Sequence, residues 1–242
     1  MKIFAHLSWL YATTIIFISL TLVILTYWLL PRPYARKISA WFVRLCIFFS
    51  TEIEGEEDPA AQMYLINHQS DLDIGIMETI SKKDLSWVAK KELFDLPFFG
   101  LVMSMPEDIP IERQSKTSLL KLLKNSKDRL NKGRVITMFP EGTRSKNFRM
   151  LPFKGGAKVV ADKYKLKVQP IVLMQTSKYY DIKRFYYKPG KIKVIFMDSF
   201  VADKSDENWL NNLRKKMQEV YDDELANNLR HRKWWFYRRS HS

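Results

Sequence analysis

From Leu7 to Leu30 the chain carries no charged residue. That length is sufficient to enter or cross a hydrocarbon layer, and any fold must find such a segment an apolar surrounding. Trp9 and Tyr11 sit near one end and Tyr27 and Trp28 near the other, the placement of interfacial aromatic belts. A cleaved leader is the rival reading, but the stretch is too long and no Ala-x-Ala site precedes Pro31. We read it as a retained anchor. Arg32, Arg36 and Lys37 follow it, against Lys2 before it, so the positive-inside bias puts the rest of the chain on the cytoplasmic face of a membrane. Ile38–Ser50, with Trp41, Phe42, Val43, Leu45, Ile47, Phe48 and Phe49 around Arg44, is too short to span and too apolar for an exposed loop. It is expected to return as an interfacial helix, joined through Pro31-Arg32-Pro33 to make an N-terminal membrane helical hairpin. Whether that hairpin dips or spans is open at this level.

The 242 residues leave room for an anchor (1–50), one domain (51–228) and a basic aromatic tail (229–242). A formal charge of +14 narrows the partners to polyanions, nucleic acid or an anionic bilayer. Distribution favours the bilayer, because Tyr179–Lys188 and Arg230–Arg239 interleave aromatic rings with cations, although the first stretch reads equally as a solvated turn whose tyrosines pack on the sheet. A single cysteine, Cys46, excludes a disulfide framework and a cysteine-rich zinc site. Four histidines without a His-Glu-x-x-His pattern offer no metal centre.

Past an acidic linker, Glu52–Asp58, strand-like and helix-like patterns alternate. Strands are expected near Met63–Asn67, Trp87–Lys90, Ile109–Glu112, Val135–Phe139, Val168–Met174 and Lys193–Met197. Helices fit near Asp71–Ser81, Leu93–Met103, Lys116–Asn131, Ala157–Tyr164 and Glu207–Ala226, the third with an apolar face of Leu119, Leu120, Leu122, Leu123 and Leu130. Such alternation predicts an α/β sandwich around a mostly parallel sheet, with room for an antiparallel edge.

Within it, Met63-Tyr64-Leu65-Ile66 runs into Asn67-His68-Gln69-Ser70-Asp71-Leu72-Asp73. A strand that passes through a polar cluster into a helix puts His68 on a strand-to-helix turn, where α/β proteins commonly place ligand-facing residues. Asp73, in the first helical turn, can fold back onto one imidazole nitrogen and leave the other to take a proton from a hydroxyl. That is the division of labour in the histidine-aspartate half of a hydrolytic triad. Two further readings stand beside it. With Ser70 as N-cap, Asp73 falls at N3 and closes a capping box, and Asp71 competes as the histidine's partner.

A second motif, Phe139-Pro140-Glu141-Gly142-Thr143-Arg144-Ser145, follows Val135-Ile136-Thr137-Met138. In this order the two motifs resemble the glycerolipid acyltransferases, most closely the bacterial 1-acylglycerol-3-phosphate acyltransferases. Lys91-Glu92-Leu93 through Pro97 and Gly100, Ile111-Glu112-Arg113, and Val168-Gln169-Pro170-Ile171-Val172 fit further blocks of that pattern. The resemblance implies that His68 serves the acceptor hydroxyl directly, with Asp73 fixing its tautomer and no acyl-enzyme on Ser70. It implies glycerophosphate contacts from Arg113 and Arg144, an acceptor site shaped by Glu141, Gly142 and Thr143, and a phosphate contact from Lys154. Glu141 then either accepts a glycerol hydroxyl or holds Arg144. The second is physically easier, since a carboxylate beside a phosphate is unfavourable without an intervening cation. A groove of Leu93, Phe94, Leu96, Phe98, Phe99, Leu101, Val102 and Met103 would take the acyl chain, or these residues are ordinary core.

The implied partners are an acyl-CoA or acyl carrier protein donor, a lysophosphatidate acceptor that becomes phosphatidate, and membrane lipid, with no cofactor and no nucleic acid. An acyltransferase for another lysophospholipid is the alternative enzyme. A basic membrane-binding protein without chemistry is the alternative of another class.

Overall fold

The computed structural model of the chain describes residues 2–46, 49–112, 116–145, 148–181 and 186–239. Two helices come first, α1 (Lys2–Leu29) and α2 (Arg32–Cys46), and pack against each other, with Thr26 and Ser39 hydroxyls 2.6 Å apart in their buried seam. Among the described residues no helix is long and apolar enough to cross a membrane. The helical hairpin is therefore present, but its spanning form is not supported. α1 also lies on the body: Phe17 stacks on Phe98 with ring centroids 4.9 Å apart, and Ile16 packs on the core.

The second segment also differs from expectation. α2 starts at Arg32 and stops at Cys46, and Phe49 and Ser50 open strand β1 (Phe49–Glu54) instead of closing a helix. The acidic stretch read as a linker is thus partly an edge strand, whose Glu52 and Glu54 pair with Lys191 and Lys193, each at 2.7 Å. Its alternating charges serve a solvated edge, a pattern that sequence alone does not separate from a loop.

The alternating body follows. β2 (Met63–Ile66), α3 (Leu72–Ile80), β3 (Leu85–Lys90), the short helices α4 (Lys91–Phe94) and α5 (Phe99–Ser104), and β4 (Ile109–Ile111) lead into α6 (Lys116–Asn131), β5 (Val135–Met138), α7 (Gly155–Tyr164) and β6 (Lys167–Leu173). After a single 3-10 turn come the small hairpin β7 (Tyr180–Asp181) and β8 (Tyr186–Tyr187), then β9 (Gly190–Phe196), β10 (Phe200–Val201) and the long α8 (Trp209–Arg239). The main sheet runs β1-β9-β6-β2-β5-β3-β4, with β10 on β6. Pairings from β6 to β4 are all parallel, while β9 and β10 lie antiparallel to β6.

Every residue of β2 and β5 is buried, as expected of parallel strands covered on both faces. Alternation along β2 divides the core: Met63 and Leu65 face α6, α7 and α8 through Leu122, Val160, Leu213 and Met217, whereas Tyr64 and Ile66 face α3 through Leu72, Ile76 and Met77. Each such aliphatic side chain contributes about 1.5–3 kcal/mol on burial. The result is helix–sheet–helix layering, with the N-terminal hairpin laid over the α3 layer.

Three expected helices change in detail. Pro97 splits Leu93–Met103 into α4 and α5, and Phe98 between them takes φ +64°. On α6, Ser118, Leu122 and Ser126 line the buried face while Leu120 is 69% exposed, because the i, i+4 spacing fixes the face more strictly than leucine content does. α8 continues past Ala226 through the backbone of the tail to Arg239. Side chains beyond Asn227, and Ile182–Phe185, lie outside the described residues.

The cations expected to signal membrane orientation also have partners in the body. Arg32 bonds Asp84 at 2.5 Å and Glu107 at 3.0 Å, and Arg36 lies 3.6 Å from Glu78 and 3.7 Å from Asp84. These pairs fasten α2 to α3 and to the loops before β3 and β4.

Candidate active site

β2 is central in the parallel part of the sheet, so its C-terminal end opens onto the crevice where α/β folds bind ligands. Asn67 fixes the exit of the chain there: its amide donates to the Leu173 carbonyl at 3.0 Å and accepts from the Leu173 N–H at 2.7 Å, continuing the β2–β6 ladder by one side chain. His68 follows on the turn.

Its Nδ1 lies 2.7 Å from Asp73 Oδ2. The same carboxylate oxygen accepts the backbone N–H of Gln69 at 2.7 Å and of Ser70 at 2.9 Å, and Oδ1 takes the Thr176 hydroxyl at 2.5 Å. Asp73 therefore does both things that the sequence left as alternatives, closing the helix start and holding the imidazole. Because every other contact on this carboxylate is a donor, Nδ1 carries the hydrogen in this pair and Nε2 the lone pair. Among the described residues Nε2 has no protein hydrogen-bond partner, and the side chain is 15% exposed. Ser70 is not placed as a nucleophile: it is 2% exposed, donates to the Tyr180 carbonyl at 2.9 Å and accepts from Leu72 N–H at 3.3 Å.

The second motif wraps around the same histidine. Glu141, 1% exposed, accepts the His68 N–H at 2.8 Å and the Leu151 N–H at 2.7 Å. Ser145 donates to the His68 carbonyl from its backbone at 2.8 Å and from its hydroxyl at 3.2 Å. Both backbone groups of His68 are thus held by the loop after β5, which gives a physical reason for the two motifs to occur together. Gly142 takes φ +69° in that loop, a left-handed turn that favours glycine. Burial pushes the Glu141 carboxyl above its ordinary range, against the two N–H bonds it accepts.

This corrects one expectation. Glu141 does not hold Arg144: its buried carboxylate is turned to the backbone N–H groups of His68 and Leu151. Asp71, the rejected candidate for the histidine, holds Arg144 instead. The Arg144 side chain is 36% exposed and that of Asp71 48% exposed, so the pair stands at the rim. Thr143 is exposed beside it. Lys154 is exposed at the N-cap of α7, tied into the loop by its backbone N–H to the Pro140 carbonyl at 2.7 Å. Arg113 lies outside the described residues. Pro170 sits in the middle of β6. Among the described residues no cluster of His, Cys, Asp or Glu side chains is arranged to hold a metal ion.

Sequence reasoning gave no role to Thr176, to Gln69, whose amide donates to the buried Tyr221 hydroxyl at 3.0 Å, or to Phe139, whose ring lies on the imidazole. Thr176 is reached only through the tertiary return of the chain after β6, which no local spacing announces.

An acyltransferase family model matches residues 51–174, the span that holds both motifs. The 1-acyl-sn-glycerol-3-phosphate acyltransferase of Helicobacter pylori is 34% identical over 221 residues, 89% of this chain and 93% of that protein. That of Haemophilus influenzae is 27% identical over 202 residues, 78% of this chain and 83% of its own length. The crystal structure of the 1-acyl-sn-glycerophosphate acyltransferase PlsC from Thermotoga maritima shares the fold, with a TM-score of 0.72 at 23% identity over 93% of this chain and 96% of that one. With more than half of its length matched, and with His68 held by both motifs, this chain belongs to the acyltransferase family and to its 1-acyl-sn-glycerol-3-phosphate acyltransferase members.

Proposed function

We propose that the protein transfers a fatty acyl group from acyl-CoA or acyl carrier protein to the sn-2 hydroxyl of lysophosphatidate, forming phosphatidate. The observation that carries this reading is the His68–Asp73 pair at 2.7 Å, with Nε2 open and the Arg144 guanidinium at the rim. The names of the relatives supply the acceptor.

His68 Nε2 takes the acceptor hydroxyl proton as the oxygen attacks the thioester carbonyl carbon. The carbon–sulfur bond then breaks, and the thiolate leaves with the proton returned from the imidazolium. Asp73 holds the ring in the right tautomer and offsets its transient charge, and a positioned base of this kind contributes roughly 10²–10⁴-fold. Arg144, Thr143 and Lys154, with Arg113, hold the acceptor phosphate, and Gly142 lets the loop approach it closely. Glu141 acts indirectly, by fixing the backbone of His68.

The N-terminal hairpin works at the membrane, with the catalytic body on its cytoplasmic face. The support is the exposed apolar surface of Leu10, Phe17, Ile18, Trp28, Leu29 and Trp41, continued by Leu96 and Leu101 of the body. In this arrangement residues 1–50 form the anchor, 51–228 the catalytic domain and 229–242 a basic aromatic tail, whose backbone continues α8 as far as Arg239. Purified full-length protein assayed with acyl-CoA or acyl carrier protein and a panel of lysolipids tests the proposal. Transfer to lysophosphatidate supports it. Transfer only to another lysophospholipid replaces the acceptor, and no transfer to any acceptor leaves a membrane-binding protein.

A further inference from the structure

Phe139 lies flat on the His68 imidazole, ring centroids 3.9 Å apart and planes 11° from parallel. Behind it, Trp87 stacks on Phe139 at 5.1 Å and 26°. Trp87 is held at both ring and backbone. The indole Nε1–H donates to Glu78 Oε1 at 2.7 Å, and the main-chain N–H of Trp87 donates to Asp108 Oδ1 at 2.9 Å. Glu78 in turn faces Arg36 of α2 at 3.6 Å. Trp87 is 4% exposed, on the strand next to the one that delivers Phe139.

One hydrogen bond defines an axis but not a plane. The Nδ1–Asp73 bond leaves the imidazole free to tilt about the line joining the two atoms, and a tilt swings Nε2 away from any fixed hydroxyl. A flat ring against the imidazole face removes that freedom, provided the flat ring is itself held. An aromatic face also carries negative quadrupole charge, so it favours the imidazole when the ring becomes a cation. The charged groups around the ring are Asp73 on α3 and Glu141 on the loop after β5, with the Asp71–Arg144 pair at the rim. None of these sets the tilt of the plane.

Building on the reading of His68 as general base, we propose that Trp87 is a positioning residue: clamped by Glu78, it acts through Phe139 to fix the plane of the His68 ring and to favour its charged form during transfer.

The experiment uses full-length protein in lipid vesicles, with lysophosphatidate and an acyl-CoA as probes. Trp87→Leu leaves Phe139 in place but unsupported, and should lower kcat about tenfold, within the range of a weakened cation–aromatic contact between Phe139 and the imidazolium, with the acceptor KM unchanged. It should also move the acidic limb of the kcat profile to lower pH, since a less favoured imidazolium gives up its proton more readily. Trp87→Phe keeps a ring on Phe139 but loses the bond to Glu78, and should bring kcat back only to about two- to threefold below the native protein. Native kcat in Trp87→Leu, or a loss carried by KM with the limb unmoved, overturns the proposal. Should Trp87→Leu not fold, Trp87→Phe decides: a drop of about two- to threefold at constant KM with the limb displaced supports it, and native values overturn it. His68→Ala, run alongside, separates the two failures. Turnover surviving that change removes the base and the proposal together, whereas an inactive His68→Ala with an unchanged Trp87 series removes only the positioning role.

Discussion

Arg144 is paired with Asp71, three residues beyond the histidine, rather than with the glutamate of its own motif. Since both side chains are partly exposed, the pair itself contributes about 0–1 kcal/mol, and an incoming phosphate can displace the carboxylate at small cost. Arg144→Ala should raise the acceptor KM by about tenfold or more, the scale of a lost charge-assisted hydrogen bond. Asp71→Asn should lower it by up to about fivefold, because a competing anion is gone. Opposite signs in the two acceptor titrations are the expected result. A rise in KM in both would mean that Asp71 chiefly preorganises the arginine.

His68→Ala should abolish transfer, by about 10²-fold or more in kcat, while leaving the fold intact. The reason lies in Asp73, which keeps the Gln69 and Ser70 N–H groups and the Thr176 hydroxyl when the imidazole is removed. Asp73→Asn is different. An amide turns N–H against those donors, so this variant should lose activity and also about 1–3 kcal/mol of stability, read from thermal melts beside the rate assay.

Glu141→Gln separates support from chemistry. The carboxylate accepts two backbone N–H bonds in a buried position, and an amide satisfies one of them and opposes the other. A loss of about 1–3 kcal/mol in stability is expected, with kcat falling more than acceptor KM rises, because His68 moves and Arg144 does not. A purely acceptor-binding role would instead show in KM with the melt unchanged.

How much of this was legible depended on whether the signal was local. The strand-to-helix turn at His68 and the parallel body could be read because a buried apolar run before a polar cluster is a local pattern, and the central strands β2 and β5 are such runs. The Glu52–Glu54 part of β1 reads as linker because an edge strand half in water has the composition of a loop. The partner of Glu141 differs from expectation for another reason. Charge pairing suggested the neighbouring arginine, but the oxygens went to backbone N–H groups of His68 and Leu151, whose approach is a tertiary fact. Phe139 stood in the motif in plain view. What sequence could not supply was the 3.9 Å stack that makes its ring part of the site.

Asp108 ties stability to pH. Burial pushes its carboxyl up to about 8, with the neighbouring Glu78 and Asp84 carboxylates adding to the rise and the Trp87 N–H bond and Arg134 opposing it. Between the ordinary carboxylate value of about 4 and about 8, the folded chain holds a proton there that the unfolded chain has released. Stability from this group is therefore full below about pH 4 and falls as pH rises to about 8. Asp108→Asn keeps the acceptor for Trp87 N–H and should flatten that part of the melting-temperature profile. A slope unchanged by the substitution would assign it to other groups.

Removing residues 1–46 should do two things at once, and point changes in the full chain can separate them. Loss of the apolar surface carried by Phe17, Trp28 and Trp41 should release the body from membranes in a flotation assay. Loss of Arg32 and Arg36 should leave Asp84, Glu78 and Glu107 without their hairpin cations, and so destabilise the body itself. Arg36 is 12% exposed between two carboxylates, so Arg36→Ala alone should cost about 1–3 kcal/mol in the melt while membrane association persists. If Arg36→Ala also released the protein from vesicles, the hairpin would be holding the membrane through its fit to the body and not through its apolar face.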